Sequence, residues 1–336
     1  MKKMKFKKSL AIMLVLCLMA TLFVGCGNNE DPGEEQGEEL RQYTMGTMGA
    51  TGGYMMLGTG IAKIVNDNID YINLTPVQSP KGSVENVQAI QSGERELGIA
   101  SSNVVLDGIE VRTPDFTEPV TEVNGWFCAH YGITYSIVLE DSGIKTWKDM
   151  EGKKIAIGTV GSNDAYLAEN IFFPMNGVDP AKVDIEYLGM SDAMSQMKDG
   201  HIDGYIGTGA PKVAGILDMT NSRETRFVPM EQEAIDKCLE AYPEFIIKPM
   251  TQEDMPAMVM DAAEYPTVAM KHVVIIDKDI DEETVYNMTK YVFENLEEIY
   301  AVKAEFNVIT LEDALDGMPC DVHPGAMKYF KEQGIA

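Results

Sequence analysis

Residues 45–58 read MGTMGATGGYMMLG, five glycines in fourteen positions, following a β-like QYTMGT (42–47) and leading into a helix-like IAKIVNDNI (61–69). Glycine at that density ahead of a helix implies that something approaches the backbone closely. Strand, glycine-rich turn and helix, in that order, make the repeating unit of an α/β sheet.

The unit recurs along the chain. INLTPV, ELGIASS, ITYSIVLE, KKIAIG, VDIEYLG, DGYIGT, TRFVPM and HVVIID read as strands, while VENVQAIQSGE, DAYLAENIFFPMNG and SDAMSQMKDG read as helices. A final helix is expected after Asp281, a candidate N-cap, with Val285, Met288, Val292, Leu296 and Ile299 on one face. The alternation predicts an α/β fold with largely parallel strands. About 295 ordered residues suit two lobes better than one core, because single cores stop growing near roughly 250 to 300 residues. Chain crossings are expected near residues 132 and 267, giving one lobe from 42–132 and 268–336 and a second from 133–267.

The N-terminus reads differently. MKKMKFKKS carries five lysines and no acid, and LAIMLVLCLMATLFV (10–24) is apolar but short for a bilayer span, so residues 1–25 read as a secretory signal peptide. Val24-Gly25-Cys26 resembles the lipobox of bacterial lipoproteins, with Phe23 where an aliphatic residue is usual; the resemblance implies lipidation of Cys26. Residues 26–41 are acidic and glycine-rich and read as a flexible tether. The localisation expected is extracytoplasmic, lipid-anchored to the outer face of the cytoplasmic membrane.

The whole chain has 27 basic and 53 acidic residues, a net charge of −26; without the five leader lysines it is −31. Such a surface repels nucleic acid and anionic lipid, so an anionic ligand would have to be captured by local dipoles. Four turns offer them: the quoted loop; SPKGSVENVQAI, with Ser83 as N-cap and Asn86 in the capping-box position; IAIGTVGSNDAYLAEN, with Gly161 and Ser162 at the turn; and GYIGTGAPKVAGIL, where Pro211 suits the first helical position. In open α/β sheets ligands bind beyond the carboxyl ends of strands, where unpaired helix N–H groups carry partial positive charge. Taken singly, each turn is as well read as an ordinary cap or tight turn.

Enzyme signatures are missing. The loop lacks the Gly-Lys-Ser/Thr ending of a P-loop, no G-x-G-x-x-G or G-x-S-x-G occurs, and His130, His201, His272 and His323 have no metal-ligand spacing. No cofactor and no metal are expected. Cys128, Cys238 and Cys320 read as buried thiols.

The segments GGYMMLG (52–58), GSVENVQAIQSGERELGIA (82–100), SGIKTWKDMEGKKIAIGTVGS (142–162), DGHIDGYIGTGAP (199–211) and HPGAMKYFKEQG (323–334) together resemble the TAXI-type solute-binding proteins of TRAP transporters. The resemblance implies a two-lobed, type II periplasmic-binding-protein-like fold with a ligand cleft between the lobes and no enzymatic activity. It implies a small carboxylate or amino-acid ligand, such as glutamate or 2-oxoglutarate, and TRAP membrane permease subunits as partners. Its site residues map to Thr51, Gly52, Gly53, Tyr54, Ser83, Asn86, Ser162, Asn163, Gly209 and Pro211. Two departures stand out: Gly53 and Met55-Met56 replace a threonine and a Tyr-Pro pair, and Asn163-Asp164 replaces Gly-Thr. Asp164 is expected in the first helical turn, facing solvent and complementing the dipole. A ligand-presenting sensor and a secreted carboxylate-dependent hydrolase are the alternative readings.

Overall fold

The computed structural model describes residues 40–49, 52–210 and 212–336. The signal peptide, Cys26, Thr51 and Pro211 lie outside the described residues, as does the tether through Glu39. The tether ends sooner than expected, because Arg41 already opens the first strand.

The first part of the chain alternates as anticipated: β1 (Arg41–Gly46), α1 (Gly53–Asn68), β2 (Ile72–Val77), α2 (Ser83–Gln91), β3 (Leu97–Ser101) and α3 (Ser102–Glu110). A long strand, β4 (Val123–Leu139), leads into β5 (Lys154–Ala156), α4 (Asn163–Leu167), a π-helical turn (Ala168–Phe172), and α5 (Phe173–Met175). Next come β6 (Asp184–Glu186), α6 (Met190–Asp199), β7 (Gly204–Gly209), α7 (Ala214–Ser222), β8 (Thr225–Phe227) and α8 (Gln232–Ala241). β9 (Ile246–Thr251) and a second long strand, β10 (Glu264–Asp277), precede α9 (Glu282–Glu294), α10 (Leu296–Val302) and α11 (Pro324–Glu332).

The strands form one sheet in the order β2-β1-β3-β10-β4-β7-β5-β6, with β8 on β4 and β9 on β10. Parallel pairing joins β1 to β2 and β3, and β5 to β6 and β7. The centre is antiparallel, correcting the expectation of largely parallel strands: β10 runs against β3, β4 and β9, and β4 against β7 and β8. Each long strand changes partners along its length. β4 pairs with β10 over Val123–Ile133 and with β7 over Ile133–Val138; β10 pairs with β9 over Glu264–Ala269 and with β3 over His272–Ile276.

Burial on both faces explains the unbroken apolar run HVVIID. Val274 and Ile276 enter a core with Leu57, Ile61 and Ile64 of α1 and Val285, Met288 and Val292 of α9, while Val273 and Ile275 enter another with Val87, Val104 and Val105. Beyond the partner change, Val138, Ile155 and Ile206 pack under Leu167 and Phe172 on one face, and Ile133, Tyr135 and Tyr205 pack under Met194 and Ile216 on the other. Asp281 caps α9 by accepting from the Thr284 amide at 2.9 Å. The helical run ending at Ile299 breaks at Asn295, which has φ −127°.

Candidate functional site

The N-terminal ends of α1, α2 and α3 meet. Tyr54, in the first turn of α1, places its hydroxyl 3.5 Å from Ser101 Oγ. Ser83 opens α2; its Oγ accepts from the Ser101 amide at 3.0 Å and lies 3.5 Å from Ser101 Oγ. Ser101 and Ser102 straddle the start of α3. All four side chains are buried, and burial pushes the Tyr54 phenol up to about 12. Each helix start also leaves backbone N–H groups without an intrahelical acceptor.

The start of α4 closes on this cluster from the other side of the partner change. Asn103 Nδ2 donates to Asn163 Oδ1 at 2.9 Å, and Asn163 Nδ2 returns to Asn103 Oδ1 at 3.4 Å. Thr159 Oγ1 donates to the Pro80 carbonyl at 3.0 Å, and Arg112 pairs with Glu244 at 2.5 Å, so three separate contacts bridge the same divide. Ser162 caps α4 by accepting from the Ala165 amide at 3.2 Å, which leaves its O–H as a donor.

Asp164 departs from expectation. It turns inward to accept from Thr208 Oγ1 of β7 at 2.6 Å, and burial pushes its carboxyl up to about 6. Gly209 ends β7 close by; a Cβ there would lie 3.2 Å from Met190 Cε and 3.3 Å from the Tyr135 ring. The helix after it begins at Ala214, so the expected helix start at position 211 is corrected.

Two further expectations change. Ser83 is the first helical residue of α2; the N-cap is Gly82, whose φ of 58° favours glycine, and no side-chain cap forms. Asn86 is fully engaged by protein: Nδ2 donates to the Thr47 and Ile99 carbonyls, both at 2.8 Å, and Oδ1 accepts from Ser79 Oγ at 2.5 Å and Arg95 at 3.1 Å. With every hydrogen-bonding position taken it braces the site and has none left for a ligand. It also accounts for one of the quoted glycines, since a Cβ on Gly46 would overlap Asn86 Oδ1. The close approach there is made by protein.

Sequence reading missed Ser101, Ser102, Asn103 and a histidine pair. His272 Nδ1 lies 3.1 Å from His130 Nε2, and the Tyr54 ring stands edge-on to His272 at 5.0 Å. Ser102 Oγ, His130 Nδ1 and His272 Nε2 are buried without a protein partner. ELGIASSN carries a local signal, a strand running into capping residues; the histidines, 142 positions apart, carry none. A separate cavity of about 510 Å³, lined by Glu297, Tyr300, Ala301 and Asn307, offers no such convergence of helix ends.

Paired α/β halves joined by two long strands give the two-lobed fold of periplasmic binding proteins. The chain is similar to the binding component of an ABC phosphonate transporter from Pseudomonas aeruginosa, at TM-score 0.50 and 11% identity over 80% of this chain and 79% of that one. A structure from Bordetella bronchiseptica RB50 matches at TM-score 0.50 and 14% identity over 87% and 82%. The alkanesulfonate-binding protein SsuA from Xanthomonas axonopodis pv. citri, bound to MOPS, matches at TM-score 0.46 and 13% identity over 87% and 84%. The chain belongs to the NMT1-like family, whose model matches residues 45–334. Among the described residues no helix is long and apolar enough to cross a membrane, and no His/Cys/Asp/Glu group could hold a metal.

Proposed function

We propose that this protein is an extracytoplasmic solute-binding protein that holds a small anionic solute between its lobes and delivers it to a membrane permease. The observation that carries the reading is the meeting of four helix N-termini around Tyr54, Ser83, Ser101 and Asn163, with buried polar atoms of Ser102 and His272 left unpartnered beside them. Buried polar groups are nearly always satisfied, so unpaired ones beside converging helix N-termini suit a ligand. Helix dipoles supply the attraction that an acidic exterior does not.

Within that reading the solute is a carboxylate such as glutamate or 2-oxoglutarate, and the permease is of the TRAP type; both rest on the resemblance of the five segments quoted above. Tyr54, Ser83, Ser162 and backbone amides at Gly52, Gly53 and Gly209 contact the solute, Asn163 latches the lobes, and Asn86 braces the turn. The lobes divide near residues 132 and 267, within the two long strands β4 and β10, and Cys26 carries the lipid. The protein performs no chemistry on its solute.

Calorimetric titration of glutamate and 2-oxoglutarate into the wild type and into Tyr54→Phe, Ser83→Ala and Ser162→Ala tests the site. Each variant is expected to lose about 1 to 3 kcal/mol of binding, the range for leaving a buried polar group unsatisfied. Wild-type affinity in all three would move the site elsewhere.

A further inference from the structure

His130 and His272 are directly paired across β4 and β10, beside the point where both strands change partners. Their rings stand edge to face, with centroids 4.7 Å apart and planes at 82°. The side chains are 6% and 4% exposed. A hydrogen bond between two neutral imidazoles uses one N–H and one lone pair. The outer nitrogens, His130 Nδ1 and His272 Nε2, must then take opposite roles, one donor and one acceptor. Both are buried without a partner.

The two ends face different surroundings. A Cβ on Gly132 would lie 2.7 Å from His272 Cε1 and Nε2 and 3.5 Å from the Gly209 amide, which sets Nε2 beside the end of β7. Tyr54 of α1 covers the same ring. The His130 ring meets Phe306, at 5.8 Å, and lies in the field of Lys303 after α10. Cys128 Sγ donates to the His272 backbone carbonyl, at 3.9 Å. Asp164 acts on the neighbouring Tyr54, and its charge is partly quenched by the same burial.

We propose that His272 contacts the captured solute, its Nε2–H donating to the anionic group, and that His130 is the positioning residue that sets this tautomer. The inference rests on the solute-binding reading above. With Nε2 protonated, His272 Nδ1 accepts from His130 Nε2–H, and His130 Nδ1 is the nitrogen left without a proton. In the ligand-free protein burial pushes His130 down to about 4 and His272 well below the ordinary imidazole range, so the pair is neutral at pH 7. An anion against Nε2 favours the charged form, draws a proton onto the pair, and makes solute affinity rise as pH falls.

The test is calorimetric titration of glutamate, 2-oxoglutarate, methanesulfonate and methylphosphonate at pH 8 and pH 5.5 into the wild type, His272→Asn and His272→Gln. Asparagine can put its amide oxygen near the Nδ1 position, where it accepts from His130 Nε2–H and keeps that contact; glutamine can carry an amide N–H to the Nε2 position. For whichever probe binds the wild type, H272N is expected to weaken binding about 10- to 100-fold. H272Q is expected to stay within about threefold while its gain in affinity at low pH falls below the wild-type gain, only the share from Asp164 protonation remaining. Equal affinity and an equal pH response in the wild type and H272N overturn the inference and leave solute binding intact. A folded wild type that binds no probe overturns the underlying reading and the inference with it. Ring ¹⁵N spectra of the wild type guard against misfolded variants: His272 Nε2 should carry its proton before and after probe is added, and His130 Nδ1, the open position of the neutral pair, should gain one on binding at pH 5.5; a bare His272 Nε2, or an unchanged spectrum during binding at pH 5.5, overturns the assignment.

Discussion

Asn103 at the start of α3 and Asn163 at the start of α4 exchange side-chain hydrogen bonds of 2.9 and 3.4 Å across the divide between the two halves of the sheet. Both are buried, Asn163 at 7% and Asn103 at 0% exposure. The two helix ends that face the site are therefore held to each other by amides.

A double-mutant cycle on Asn103→Ala and Asn163→Ala should give a coupling energy of about 0.5 to 3 kcal/mol in urea unfolding. A coupling below about 0.3 kcal/mol would mean that the ligand-free protein in solution does not hold this contact.

Gly46 and Gly49 stand in the same glycine-rich stretch and should respond differently to alanine. A Cβ at Gly46 would overlap Asn86 Oδ1, whereas nothing lies within 4 Å of one at Gly49. Gly46→Ala is expected to cost about 1 to 3 kcal/mol, the range for overpacking, and Gly49→Ala to stay within about 0.5 kcal/mol, both read as shifts in urea midpoint.

Asn86→Ala removes a side chain that ties Thr47, Ser79, Arg95 and Ile99 together. Several buried partners lose their hydrogen bonds at once, so a loss of about 2 to 4 kcal/mol is expected. A loss under about 1 kcal/mol would show that water replaces the amide and that the brace is dispensable.

Asp164 sets a pH dependence. Its carboxyl is raised from 3.8 to about 6, so between those values the folded state binds more protons than the unfolded one. Its contribution to stability is then favourable in acid and fades as pH rises from about 4 to about 6, at most about 1.4 kcal/mol per unit of pH. Asp164→Asn should gain on the wild type through that window and stay level above it. Parallel stability curves from pH 4 to 7 would show that the carboxylate is solvated.

Much of the architecture could be read locally. INLTPV, DGYIGT and the Asp281 cap declare themselves through alternation and capping chemistry within a few residues, and the structure keeps them. The antiparallel centre was hidden. VNGWFCAHYG, the first part of β4, mixes glycines and polar residues into a strand whose pairing with β10 is set by contacts some 140 positions away. The site divides in the same way. Ser162 is recognisable as a cap from its neighbours, but Asn86 has the same motif-level appearance whether it faces a ligand or, as here, four protein groups. The turn of Asp164 toward Thr208 depends on where β7 lies, which no local pattern states.

Thermal unfolding of the wild-type protein against small carboxylates, amino acids, sulfonates and phosphonates tests the central claim most directly. A solute at about 100 times its dissociation constant adds roughly 2.7 kcal/mol, a rise in Tm of about 5 to 10 °C. The account predicts such a rise with at least one small anion and a smaller one in Ser83→Ala. A cooperative transition that no member of the panel moves would contradict it.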